Sequence, residues 1–165
     1  KARVEGLRDF GSAPSPFNSF QTIQGIETLD IRMKKHSESA LKLAAWLSTR
    51  EEVAWVNYPG LKTSKYNSLA QQYLSKGQSG IITFGLKKGF EAGKKVADFT
   101  KLFSLLANFG DSKSLIIHPS STTHQQLDEE AQKTTGVTKD LIRLSVGLED
   151  VNDLIDDLKA AFAQI

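Results

Sequence analysis

Near the C-terminal end an arginine stands inside an apolar run, Leu141-Ile142-Arg143-Leu144-Ser145-Val146. Alternation along an extended chain puts Leu141, Arg143 and Ser145 on one face and Ile142, Leu144 and Val146 on the other. The all-apolar face is suited to packing on helices. The mixed face presents a guanidinium on a rigid element, with the planar fork that grips a carboxylate through two parallel hydrogen bonds. An ordinary surface ion pair is the bland alternative, and the strand by itself does not decide between them.

Two further segments carry polar chemistry. Asn108-Phe109-Gly110-Asp111-Ser112-Lys113 is a turn between apolar stretches, and its turn residues alone would account for it. In a functional reading, Asn108 and the N–H groups near Gly110 donate to an anion beside Arg143. His118-Pro119-Ser120-Ser121-Thr122-Thr123-His124 gathers two imidazoles and four hydroxyls. The only other histidine is His36, with no cysteine and no HExxH, so a zinc site has no ligand set. A Ser–His nucleophile pair lacks a G-x-S-x-G elbow. Neither G-x-G-x-x-G nor G-x-x-x-x-G-K occurs, so no glycine-rich phosphate loop is present.

The 165 residues are 39% hydrophobic and 24% charged, the composition of a globular chain able to bury a core. A net charge of +2, with the lysines scattered, gives no footprint for nucleic acid. The absence of cysteine removes disulfides and thiolate chemistry and fits a cytoplasmic protein. No apolar run approaches the ~20 residues of a membrane span, and Lys1–Phe10 lacks a signal-peptide centre. The only methionine is Met33, which suggests a fragment or a processed chain.

The periodicities define the elements that must position these groups. Gly11–Ser19, with two prolines, reads as a loop, and Ser19 as the cap of a long helix over 20–48 with a kink at Gly25. Strands are expected at Val53–Tyr58, Gly80–Leu86, Leu105–Asn108, Ser114–His118 and Leu141–Val146. Helices are expected around Tyr66–Leu74, over Gly89–Phe103, in a short stretch Asp128–Thr135, and after an Asp150 cap. In that last helix Asp153, Asp156 and Asp157 are expected to face water. The order predicts an α+β fold, a mainly antiparallel sheet with helices on one face. Arg143 should lie on the other face, left uncovered.

Taken together, NFGDSKSLIIHPSSTTHQQL and LIRLSVGLEDVNDLIDDL resemble the C-terminal region of the Cys/Met-metabolism enzymes that use pyridoxal phosphate. SPFNSFQTIQGIETLDIRMKKHSESALKLAAWL resembles the segment leaving their large domain. The Asn-x-Gly-Asp turn and the Ser-Thr-Thr-His after His-Pro look most like the O-acetylhomoserine sulfhydrylase branch, its fungal members in particular. The resemblance implies that residues 1–19 end the large cofactor domain, 20–48 form a connecting helix, and 49–165 form the small substrate-binding domain. It implies that Arg143 binds the substrate α-carboxylate, helped by Asn108 and Phe109, with Thr123 and His124 in support. Many relatives have Ser-Leu-Gly where this chain has Asn108-Phe109-Gly110, which leaves the part played by Asn108 less defined.

The resemblance further implies a pyridoxal 5'-phosphate cofactor bound mainly by a missing N-terminal part, and a homotetramer. The family's cofactor lysine lies in a Ser-x-Thr-Lys context, and this chain has none; Lys65 follows Thr63-Ser64 outside any matching segment. No catalytic residue is therefore expected here, and the fragment alone should be inactive. Cystathionine γ-synthase or γ-lyase chemistry, a non-catalytic docking module and a carboxylate sensor stay open at this point.

Overall fold

A computed structural model describes residues 1–165. It consists of two compact units, Lys1–Ile31 and Arg32–Ile165. In the first, a π-helical stretch, Ala2–Leu7, continues as one turn, α1 (Arg8–Phe10), and stops at Gly11 with φ 65°. Glycine adopts that left-handed conformation without steric cost. Helix α2 (Pro16–Glu27) follows. The Ser15 hydroxyl caps it by accepting the Asn18 N–H at 3.2 Å, and Pro16 takes the first helical position, where no N–H is needed. The expected loop over Gly11–Ser19 is therefore shorter, and Ser19 lies inside the helix instead of capping it.

The continuous helix expected over 20–48 is also two helices. Thr28, at φ −96° and ψ −1°, separates α2 from α3 (Leu29–Leu47). Its N–H and its hydroxyl both bond to the Gln24 carbonyl, at 3.3 and 3.0 Å. The N–H bond is a last rung of the α2 ladder, and the hydroxyl shares its acceptor, the local side-chain bonding by which a threonine competes with continued helix. The break falls three residues after Gly25, where a kink was expected.

The second unit is built on a five-stranded sheet in the order β1-β2-β5-β4-β3. The strands are β1 (Val53–Asn57), β2 (Ile81–Leu86), β3 (Ser104–Leu105), β4 (Leu115–Ile117) and β5 (Leu141–Ser145). All pairs are antiparallel except β3 with β4. The mainly antiparallel α+β architecture expected from the sequence is what forms. Strand β5 is central, with β2 on one side and β4 on the other.

Its inward face makes the core. Ile142 and Leu144 of β5 join Ile82, Phe84 and Leu86 of β2 and Ile116 of β4. Helix α3 contributes Ala40, Leu43, Ala44 and Leu47. Helices α5 (Gly89–Phe99) and α7 (Val151–Phe162) add Val96, Leu154, Leu158 and Phe162. The rings of Phe84 and Phe162 meet edge to face at 6.3 Å. The remaining helices, α4 (Asn67–Tyr73) and α6 (Glu129–Thr134), lie in the connections.

Helix α5 ends four residues before the expected Phe103. The cause is Asp157 of α7, expected to face water. Its carboxylate accepts the N–H groups of Lys101 and Leu102 at 2.9 Å and of Phe103 at 3.1 Å. Those N–H groups would otherwise continue the helical ladder. Asp150 caps α7 as expected, accepting the Asn152 N–H at 2.8 Å. No helix is long and apolar enough to cross a membrane.

Candidate carboxylate-binding site

Register fixes the surroundings of Arg143. Thr83 of β2 and Ile117 of β4 stand directly opposite it, and Asn57 of β1 stands opposite Thr83. Paired residues share a face, so Asn57, Thr83, Arg143 and Ile117 form one row across the outward side of the sheet. The next row holds Ile81, Ser145 and Leu115. This face is not bare, as the sequence suggested. Leu115, Ile117 and Ser145 are buried. Over the β4 side folds the connection from β3 to β4, and Gly110 of that connection donates its N–H to the Ser145 hydroxyl at 3.2 Å. Arg143 remains half-buried at the edge of this cover.

The Arg143 guanidinium donates from Nη2 to the Asn108 carbonyl at 3.0 Å. Among the described residues it has no carboxylate partner. A guanidinium carries five N–H donors, so most of its capacity stays available. Asn108 meets Arg143 through its backbone carbonyl, not its side chain. Its side-chain oxygen instead accepts the Phe109 N–H at 2.9 Å, leaving the amide NH₂ as a donor. Asn108 lies in the loop after β3, not in a strand, because β3 ends at Leu105. The Gly110 N–H, expected to serve an anion, is engaged by Ser145. Phe109, next to Asn108 in the same loop, is 73% exposed.

Thr123 and His124 bond to each other, Oγ1 to Nδ1, at 2.9 Å, and no hydrogen bond links them to Arg143. The His124 carbonyl instead accepts from the buried Gln132 side chain at 2.8 Å. Gln132 also accepts the Ser120 hydroxyl at 2.7 Å, which ties the His-Pro loop to α6.

His118 is fully buried and both ring nitrogens are partnered. The Lys139 carbonyl can only accept, so Nε2 carries the proton across that 2.8 Å contact, and Nδ1 accepts the Ser121 hydroxyl at 2.8 Å. Burial pulls its pKa below the ordinary imidazole value, against the opposing pull of the Lys139 carbonyl and of Asp140, Asp98 and Glu91. Phe90 stands edge-on at 5.0 Å, and a Cβ at Gly93 would strike the ring. A neutral imidazole fixed on every side is a structural post, not a nucleophile's partner.

Sequence reasoning missed Glu149. Its carboxylate accepts the Ser114 N–H at 2.7 Å and the Ser114 hydroxyl at 2.8 Å. The Ser114 hydroxyl oxygen accepts the Gly147 N–H at 2.7 Å. No periodicity marks a bond across 35 residues.

None of the lysines is buried. Lys65 is exposed, its ammonium 4.9 Å from the Tyr66 ring centre. A lysine that holds pyridoxal phosphate needs shelter from water to keep a perturbed amine, and no lysine here has it. These residues therefore do not fit covalent cofactor attachment. No group of three or more His, Cys, Asp or Glu side chains is placed to hold a metal ion.

Residues 1–163 match the family model of Cys/Met metabolism PLP-dependent enzymes. The chain is 53% identical to the O-acetyl-L-homoserine sulfhydrylase of Leptospira meyeri over 100% of its length and 38% of that protein. It is 45% identical to the homocysteine/cysteine synthase of Saccharomyces cerevisiae, over 99% of this chain and 39% of that one. A solved structure assigned as an O-acetylhomoserine (thiol)-lyase from Campylobacter jejuni superposes with a TM-score of 0.88 at 45% identity. The match covers 98% of this chain and 38% of that one, which carries N'-pyridoxyl-lysine 5'-monophosphate. The chain thus spans under two-fifths of the length of these relatives.

Proposed function

The chain belongs to the Cys/Met metabolism PLP-dependent enzymes, and from that premise we propose that it is the C-terminal portion of an O-acetylhomoserine sulfhydrylase. The whole enzyme converts O-acetylhomoserine and sulfide to homocysteine and acetate: the C–O bond to acetate breaks and a C–S bond forms. Pyridoxal phosphate supplies the electron sink for this chemistry when bound. The remaining part of the polypeptide provides the lysine that holds it. In this reading residues 1–19 complete the large domain, 20–48 connect the domains and 49–165 bind substrate. The enzyme is a cytoplasmic homotetramer.

One observation supports the reading most. Arg143 sits half-buried on the central strand, held by one N–H to the Asn108 carbonyl, with no carboxylate of its own. Its other donors can grip the substrate α-carboxylate through two parallel bonds, and the loop that Arg143 holds carries the Asn108 amide NH₂ as a further donor. Arg143 thereby fixes how the substrate presents its reacting bonds, and misplacement by about 1 Å can cost ~100-fold in rate. Thr123 and His124 act through the loop they stabilise.

The assay that tests this supplies the full-length enzyme with O-acetylhomoserine and either sulfide or cysteine. Homocysteine formed from sulfide is the expected outcome. Preferential cystathionine formation from cysteine would assign the enzyme to the γ-synthase branch.

A docking reading has its own observation. Phe17, Phe20, Ile23 and Ile26 of α2 recur every three residues and are all exposed. A face of this kind is covered in a working protein. The remaining part of the polypeptide is the proposed cover, and restored activity on mixing the two parts would show it.

A further inference from the structure

We propose that Ser145 is a positioning residue for Arg143, acting through the loop that carries Asn108. The inference rests on the carboxylate-binding reading of Arg143 given above. Arg143 and Ser145 are two apart on β5 and point to the same side. Each grips the same loop. Arg143 donates to the Asn108 carbonyl at 3.0 Å, and Ser145 accepts the Gly110 N–H at 3.2 Å. Ser145 is 2% exposed, in a row between Ile81 and Leu115 on neighbouring strands, so its hydroxyl has little freedom to move.

The far end of the loop is fastened separately. Glu149 holds Ser114 by N–H and hydroxyl, and the Leu148 N–H bonds to the Ser112 carbonyl at 2.9 Å. A Cβ at Gly147 would strike the Ser112 carbonyl oxygen, so the two segments meet with no room between them. Upstream of that anchor the backbone turns at Gly110 with φ +71°, the left-handed region that glycine adopts without steric cost. Ser145 holds that turn through the Gly110 N–H. Without it nothing between β3 and Ser112 but the Arg143 bond itself ties the loop to β5, and the Asn108 carbonyl that orients the guanidinium is less well fixed.

The strand therefore carries both the cation and the post that aims it. The post touches neither substrate nor cofactor in this account. Its effect is on how well Arg143 is pre-oriented before substrate arrives, which appears in substrate affinity.

The experiment is a double-mutant cycle in the full-length enzyme. Ser145→Ala is expected to raise KM for O-acetylhomoserine roughly tenfold, as for a buried hydrogen bond lost with one partner left unpaired. KM for sulfide should not move, because sulfide has no carboxylate. In the Arg143→Ala background the same change should cost less than about twofold, since the group it aims is gone. Should Ser145→Ala not fold, Ser145→Cys carries the same cycle with similar size and a weaker acceptor. An equal cost in both backgrounds, or parallel rises in both KM values, would make Ser145 merely structural and overturn the inference. A silent Arg143→Ala would overturn the carboxylate reading itself, and this inference with it.

Discussion

The two faces of strand β5 share five residues and serve opposite ends. On one side Ile142 and Leu144 have no exposed surface and lie in a core closed by α3, α5 and α7. On the other, Arg143 stands half-buried, and the one bond its guanidinium makes within the chain is to a backbone carbonyl. The first face is complete: its groups are all apolar and find apolar partners. The second is incomplete in a specific way. It carries a charge on a rigid support, and a charge half-withdrawn from water without a counter-ion is costly unless something binds it. The closed face holds the strand still, and the stillness gives the open face its use.

Substitutions on the two sides should separate accordingly. Phe84→Ala, on the closed side, is expected to lower stability by about 3–5 kcal/mol, through lost burial and the cavity left against Phe162. Thr83→Ala, on the open side and directly opposite Arg143, should cost under about 1 kcal/mol. Denaturant midpoints measure both, and equal losses would mean that the open face is packed as tightly as the core.

Acid should sharpen the distinction with a smaller effect. His118 is buried with a lowered pKa, so below the ordinary imidazole pKa the unfolded chain binds a proton that the folded chain resists. Its contribution is therefore fully present above about pH 6.5 and is lost as pH falls toward the depressed folded value. Unfolding midpoints should drop between pH 7 and pH 5, and His118→Gln should flatten that part of the profile. A profile unaffected by the substitution would contradict the burial account.

Much of this arrangement was legible in the sequence, for identifiable reasons. The period-two alternation of β5 placed Arg143 and Ser145 together and away from the core, because strand geometry is local. The caps and apolar stripe of α7 were legible for the same reason. What failed was set by contacts distant in sequence. Asp157 reaches back 54 to 56 residues to stop α5, and Glu149 reaches back 35 to fasten the loop at Ser114. The cover over Leu115 and Ile117 likewise depends on where the Asn108–Lys113 loop folds, which its turn residues do not state. The split at Thr28 was missed because a threonine in a helical pattern carries no strong stop signal, unlike the Ser15-Pro16 pair, whose signal was present and was assigned to the loop.

The carboxylate role of Arg143 is tested most directly by kcat/KM for O-acetylhomoserine in full-length Arg143→Ala and Arg143→Lys enzymes. The alanine variant should lose about 2–5 kcal/mol of transition-state stabilisation. Lysine should recover only part of it, because a point charge cannot reproduce the two-pronged grip. An alanine variant with unchanged kcat/KM would show that the open face of β5 does not bind the substrate.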